Sequence, residues 1–233
     1  MVSKNQTSEK PFKCEYCNAG FSRETTIAAH MCQPKKRAVQ KNEKRVQIGF
    51  YAFNRFYKLS ANAKENKTYE EFSKSPFYNA FVKFGSFVNN VKPLYPERYI
   101  DHVVTSQIKI DKWCDDSIYE KYVIDLILRE NSETALERTV ITMNEWAQEN
   151  SSIWNLYFKQ VSVNRAVWHI KDGKVSPWLI LNSKTGKEMI SRLNDEQLNM
   201  IYPVMNPDYW GKKFKNSLSD MQLVKQIVKE GNL

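Results

Sequence analysis

Cys14, Cys17, His30 and Cys32 stand near the N-terminus in the spacing C-x2-C-x12-H-x-C. Thiolates and imidazole are zinc's preferred protein ligands. Two thiolates on a tight knuckle, then an imidazole and a thiolate one short helix later, would close a tetrahedral site. The apolar residues between them fit a small core of Phe12, Phe21 and Ile27, with His30 three residues beyond Ile27 on the same helix face. So few apolar residues bury too little surface to hold a fold unaided, and metal binding must supply the difference.

These residues resemble the C2H2 zinc-finger family. The match comprises an aromatic two before the first Cys, the C-x2-C knuckle, Phe21 four after Cys17, Ile27 six later and His30 three after that. The family's ββα fold and Zn2+ site are what the resemblance implies, with Arg23, Thr26 and Ala29 at base-contacting positions. Arg23 suits guanine, whereas Thr26 and Ala29 are weak readers. The departure is Cys32, two residues after His30 where the family has a second His about four on. Residues that close on a helix do not share a face. The helix must therefore end at His30 and the chain must turn Cys32 back, and Pro34 suits a helix that has stopped.

Charge is concentrated beside this segment. Residues 1–46 carry ten Lys/Arg against four Asp/Glu, a net +6 of the chain's +9. The densest stretch holds Lys35, Lys36, Arg37, Lys41, Lys44 and Arg45, a footprint suited to phosphates. A length of 233 residues, 42% hydrophobic and 13% aromatic, provides one mid-sized domain plus something small. The sequence contains no apolar run of membrane-spanning length, and its polar start is not a secretory signal. With three cysteines assigned to metal and Cys114 alone, a reducing, cytoplasmic setting is expected.

The elements that must position this chemistry read as helices. Val46, Phe50, Phe53 and Tyr57 recur at helical spacing over residues 46–58. Phe77, Phe81, Phe84 and Val88 do so over 75–92, and Leu136, Val140, Met143 and Ala147 over 132–148. Ser75-Pro76, Ser176-Pro177 and Asn206-Pro207 each offer an N-cap with proline at the first helical position. Thr68 with Glu71, Ser117 with Glu120 and Asn194 with Gln197 suit capping boxes. Gly173 and Gly231 suit helix ends. Asp172-Gly173 could also turn a hairpin, but Ser176-Pro177 restarting a helix so soon favours a helix end.

No catalytic constellation emerges. His102 and His169 are the remaining histidines and lack nucleophilic partners in sequence. Asp111, Asp115, Asp116 and Glu120 form the densest acidic cluster. It could serve a metal-dependent nuclease, but favourable charge at a helix N-terminus explains it more simply. Most of the six tryptophans are expected in the core. The best exception is the stretch Tyr209–Lys215, where Trp210 lies beside Lys212, Lys213 and Lys215 and could stack on unpaired bases.

The whole chain also resembles zinc-finger proteins of large tailed bacteriophages. The resemblance rests on Cys17, Phe21 and Glu24 leading to His30, Cys32 and Arg37, on Phe81 to Gly85, on Ser176-Pro177-Trp178 and on Pro207 to Trp210. It implies action in a host cytoplasm and supplies no activity.

The expected architecture is mainly α. It comprises a disordered tip at 1–11, a ββα zinc finger at 12–33, a basic linker at 34–46 and a helical domain at 47–233. The expected function is non-enzymatic nucleic-acid binding, DNA ahead of RNA, with no membrane partner. The alternative is a protein–protein adaptor in a transcription, replication or packaging complex, since small fingers also bind proteins.

Overall fold

The computed structural model describes residues 10–233. The expected disordered tip lies outside the described residues, apart from Lys10 and Pro11. The described chain is mainly helical, with one two-stranded sheet at its N-terminal end. It divides into two compact units, one ending at Asp115 and the other running from Asp116 to Leu233.

In the first unit, β1 (Phe12–Lys13) pairs antiparallel with β2 (Gly20–Phe21), with Phe12 opposite Phe21. Helix α1 (Glu24–Ala29) follows. It stops where expected, because His30 takes an extended conformation as its C-cap. The chain does not then run loose. Cys32 caps a new helix, α2 (Gln33–Val39), with Pro34 in its first turn. Proline is as suited to opening a helix as to following one. Residues 34–46 thus pass through α2, a 3-10 turn at Gln40–Asn42 and the start of α3 (Lys44–Ser60).

Helix α4 (Tyr69–Lys74) opens on the full Thr68/Glu71 capping box. Next come α5 (Tyr78–Val91) and α6 (Pro96–Thr105). The core is aromatic. Phe53 meets Phe81 edge-on at 5.3 Å, and Phe81 and Phe84 lie 5.7 and 5.1 Å from Trp113. The Trp113 indole donates to the Ile108 carbonyl at 2.8 Å, so its one polar atom is satisfied on burial. Helices α3 and α5 cross through glycines. A Cβ on Gly49 would sit 2.7 Å from the Phe81 carbonyl oxygen, and one on Gly85 would overlap the Arg45 carbonyl.

One cap in this unit differs from expectation. Ser75-Pro76 forms a turn, and α5 starts two residues later with Phe77 as N-cap. Phe77 is consequently exposed at 52% and lies outside the buried stripe.

The second unit holds α7 (Asp116–Arg129), α8 (Ser132–Glu149), α9 (Tyr157–Gln160), α10 (Val163–Lys171), α11 (Pro177–Ile180), α12 (Lys184–Ile190), α13 (Asp195–Met205), α14 (Pro207–Asn216) and α15 (Leu218–Gly231). Ser176, Asn194 and Asn206 cap helices as read from sequence. Ser117 does not, since α7 already begins at Asp116. Gly173, at φ 71°, follows α10 in place of a hairpin. Gly231 is the last residue of α15, and the left-handed position falls to Asn232. Gly231 is small for another reason: a Cβ there would meet Trp154 at 2.5 Å. Trp178 and Trp210 are fully buried and pack at 5.5 Å, and Arg138 holds Glu130 through two bonds of 2.7 and 2.6 Å.

Candidate metal centre

The knuckle between the strands is tied by Cys14 N–H donating to the Ala19 carbonyl at 2.9 Å and Asn18 N–H donating to the Cys14 carbonyl at 2.8 Å. Asn18 sits at φ 59°, a region asparagine tolerates better than most residues. This loop aims Cys14 and Cys17 at the end of α1. Cys14 Sγ lies 3.8 Å from Cys32 Sγ, and Cys17 Sγ lies 3.3 Å from His30 Nε2. All four ligand atoms fall within 4.8 Å of one another, so the cluster could hold a metal ion.

The spacing fits a tetrahedral ion. Metal–sulfur bonds of about 2.3 Å at tetrahedral angles set sulfurs about 3.8 Å apart. A disulfide would need about 2.05 Å. His30 supplies Nε2 from the α1 C-cap, and Cys32 reaches the cluster because the chain is extended there before α2 starts. The Phe21 ring backs the imidazole at 4.7 Å between centroids.

The thiols divide unevenly. Desolvation opposes the Cys14 thiolate. Backbone N–H groups of Tyr16 and Cys17, with the Cys17 and Cys32 side chains, outweigh it and hold the group below its ordinary value. The Ala19 backbone favours the Cys17 thiolate, but desolvation and the crowding by Cys32 and Cys14 push that thiol up. A bound cation would favour both thiolates. Apolar support is thin: Phe12, Phe21 and Ile27 are each only half-buried.

Around this centre the predicted nucleic-acid residues fall into different settings. Arg23, Thr26, Lys36, Lys41, Lys44 and Arg45 are exposed. Lys35 is half-buried and donates to the His30 carbonyl at 3.2 Å. Arg45 pairs with Glu43 at 2.7 Å, and Lys41 Nζ lies 5.3 Å from the Tyr69 ring centre. Arg37 is built into the fold. Its guanidinium donates to the Ser73 carbonyl and stacks 4.3 Å over Tyr78, while its own carbonyl accepts from the Tyr69 hydroxyl at 2.5 Å. This clamp of α2 onto α4 is not visible in sequence, because Tyr69 and Tyr78 follow Arg37 by more than thirty residues.

On α14, Lys212 and Lys215 are exposed, but Lys213 turns inward. Its ammonium donates to the carbonyls of Leu128 at 2.5 Å and Glu130 at 3.3 Å and lies 4.9 Å from the Trp210 ring centre. Burial pushes its pKa down. Trp210 is fully buried with its indole N–H on the Val204 carbonyl at 2.7 Å, so it cannot stack on a base as the sequence suggested.

Among the acidic cluster, Glu120 pairs with Lys171 at 2.8 Å. His169 is buried against Tyr157, with 2.7 Å between Nδ1 and the hydroxyl oxygen. No helix among the described residues is long and apolar enough to cross a membrane. Compared with protein-family models, curated proteins and solved structures, the chain matches none.

Proposed function

We propose that residues 12–33 form a ββα zinc finger whose ligand set is three cysteines and one histidine, and that the chain is a non-enzymatic nucleic-acid-binding accessory protein, with DNA ahead of RNA. One observation carries this reading. Four convergent zinc-type ligands lead straight into α2, which displays Lys36 and is clamped to α4 through Arg37, with Lys41 and Lys44 exposed just beyond it. A reading head on a fixed base, with cations beside it, suits a phosphate backbone. A single finger covers about three base pairs, so Lys36, Lys41 and Lys44 would supply affinity and Arg23 the base preference.

Arg23 separates this reading from the adaptor. On duplex DNA, Arg23→Ala is expected to weaken the preferred site by about 1–3 kcal/mol and relax one guanine position. It should barely change the salt dependence, since base contacts release few counterions. Selection from a random DNA pool is the measurement. Intact DNA affinity with no guanine preference would rule out base reading by this helix.

The adaptor reading has its own support. Tyr16, Met31 and Val39 are exposed at 46, 49 and 68%, an apolar series that does not serve phosphates. Under that reading the same Arg23 variant leaves DNA affinity unchanged and weakens a partner pull-down.

A further inference from the structure

The apolar stripe of α3 faces the core, and a second stripe runs along its other side. Lys44, Gln47, Tyr51, Arg55 and Lys58 recur three and four residues apart, which places them on one face of the helix. Five residues of this face of α3, Gln47, Tyr51, Asn54, Arg55 and Lys58, line a solvent-open cleft of about 390 Å³, together with Phe50 and Asn66. The cleft is continuous with the basic tract, because the Gln47 amide donates to the Lys41 carbonyl at 2.5 Å. Its far wall is fixed by the Lys67 backbone N–H donating to Asn54 Oδ1 at 2.6 Å.

We infer that this cleft on α3 holds an unpaired nucleotide of a single-stranded nucleic acid, with the base against Tyr51 and phosphates further along the same strand, on either side of that base, at Lys58 and Lys44. The inference rests on the nucleic-acid reading proposed above and adds a site and a strand preference to it.

Three features select this occupant. Tyr51 is an exposed ring, 37% accessible, set among amides and not in the core. An aromatic face with cations at either end is how unpaired strands are gripped without sequence reading. The middle of the cleft is not cationic. Arg55 is neutralised by Asp101 through bonds of 2.6 and 2.5 Å, and Glu97 lies near the Tyr51 hydroxyl. A phosphate would be repelled there. A base edge, with both donors and acceptors, would find the amides of Gln47, Asn54 and Asn66. Lys58 is exposed in the cleft itself, and Lys44 is exposed on the same helix face three residues before Gln47. A duplex cannot use Tyr51 in this way, because its bases are already stacked.

The test uses the full, zinc-loaded chain with fluorescent oligothymidylate and oligouridylate of about 12 nucleotides, a length within the usual single-strand site sizes, and with a duplex of equal length. Tyr51→Ala is expected to weaken single-strand binding about tenfold and duplex binding less than twofold. Tyr51→Phe should retain binding, since stacking needs the ring and not the hydroxyl. Lys58→Ala should reduce the single-strand salt slope by about 0.7. As a readout that needs no variant, a strand carrying 5-iodouridine should photocrosslink to the peptide containing Tyr51. Binding to single strands that Tyr51→Ala leaves unchanged, with the crosslink elsewhere, would overturn the inference. Binding to duplex alone would also overturn it while leaving the proposed function standing. Binding to neither would remove both.

Discussion

Cys14 is the only one of the four candidate ligands that is fully enclosed, at 5% accessibility. A serine there cannot ionise at neutral pH, so Cys14→Ser removes a thiolate that nothing nearby replaces. Phe12, Phe21 and Ile27 are too exposed to hold the strands together without metal. Elemental analysis of protein purified without chelator is expected to give one zinc per chain, and close to none for Cys14→Ser. Hydrogen exchange should then show the amides of residues 12–30 losing protection while α3 and α5 keep theirs, because the aromatic core around Phe81 does not involve the cluster. Zinc-free wild-type protein with the same protection at 12–30 would remove the metal's structural role. His169 makes a separate residue-scale case. Burial, with the nearby Arg165 and Lys174 charges, depresses its pKa to about 4. The unfolded chain, titrating near 6.5, therefore binds more protons between pH 6.5 and 4. The stability this group contributes is full above pH 6.5 and is lost progressively as pH falls from 6.5 to about 4, on the order of 1–3 kcal/mol. His169→Gln should flatten that part of the unfolding profile. An NMR titration placing the imidazole near pH 6.5 would contradict the assignment.

Among the elements, the α3–α5 crossing offers the sharpest test of packing. The Arg45 carbonyl occupies the space a Cβ on Gly85 would need, and backbone cannot step aside as a flexible side chain can. Gly85→Ala is expected to destabilise the first unit by about 3 kcal/mol despite alanine's better helix propensity. Gly211→Ala is the control. It lies in α14, where an added Cβ meets nothing within 4 Å, and it should be neutral or slightly stabilising. Denaturant melts of both variants decide the matter. The crossing also marks the limit of what the sequence discloses. The helices themselves are legible, since Phe53, Phe81, Phe84 and Met143 fall on buried stripes at helical spacing. The convergence of Cys14, Cys17, His30 and Cys32 is legible because its signal is local spacing. Gly85 gives no sign of its role, because the carbonyl it accommodates is forty residues away. The start of α5 departs from the Ser75-Pro76 signal for a related reason: a proline after serine suits a turn as well as a helix, and only packing decides. Lys213 reads as surface charge, yet the carbonyls that draw it inward belong to residues more than eighty positions earlier.

For the molecule as a whole, charge distribution sets the remaining prediction. If the exposed tract on α2 and α3 contacts phosphates, log K should fall with log salt by about 0.9 per phosphate on duplex DNA. The variant to make is not the densest triplet. Arg37 clamps α2 to α4 and Lys35 holds the His30 carbonyl, so changing them would disturb the metal centre as well as the charge. Lys36, Lys41 and Lys44 are exposed and can be changed together with less risk to the fold. Their replacement by alanine is expected to flatten the salt slope by about two to three units. In the second unit, Lys212 and Lys215 are the exposed cations of α14, and Lys213 is already spent on backbone carbonyls. A Lys212→Ala, Lys215→Ala pair therefore reports whether this unit touches the same nucleic acid, with a change of about two units if it does and none if binding is confined to the first. Fluorescence titrations across a salt series on one duplex measure both. A slope untouched by the Lys36, Lys41 and Lys44 changes would mean that α2 serves only to seat the metal centre on α4, and the phosphate role of the tract would have to be given up.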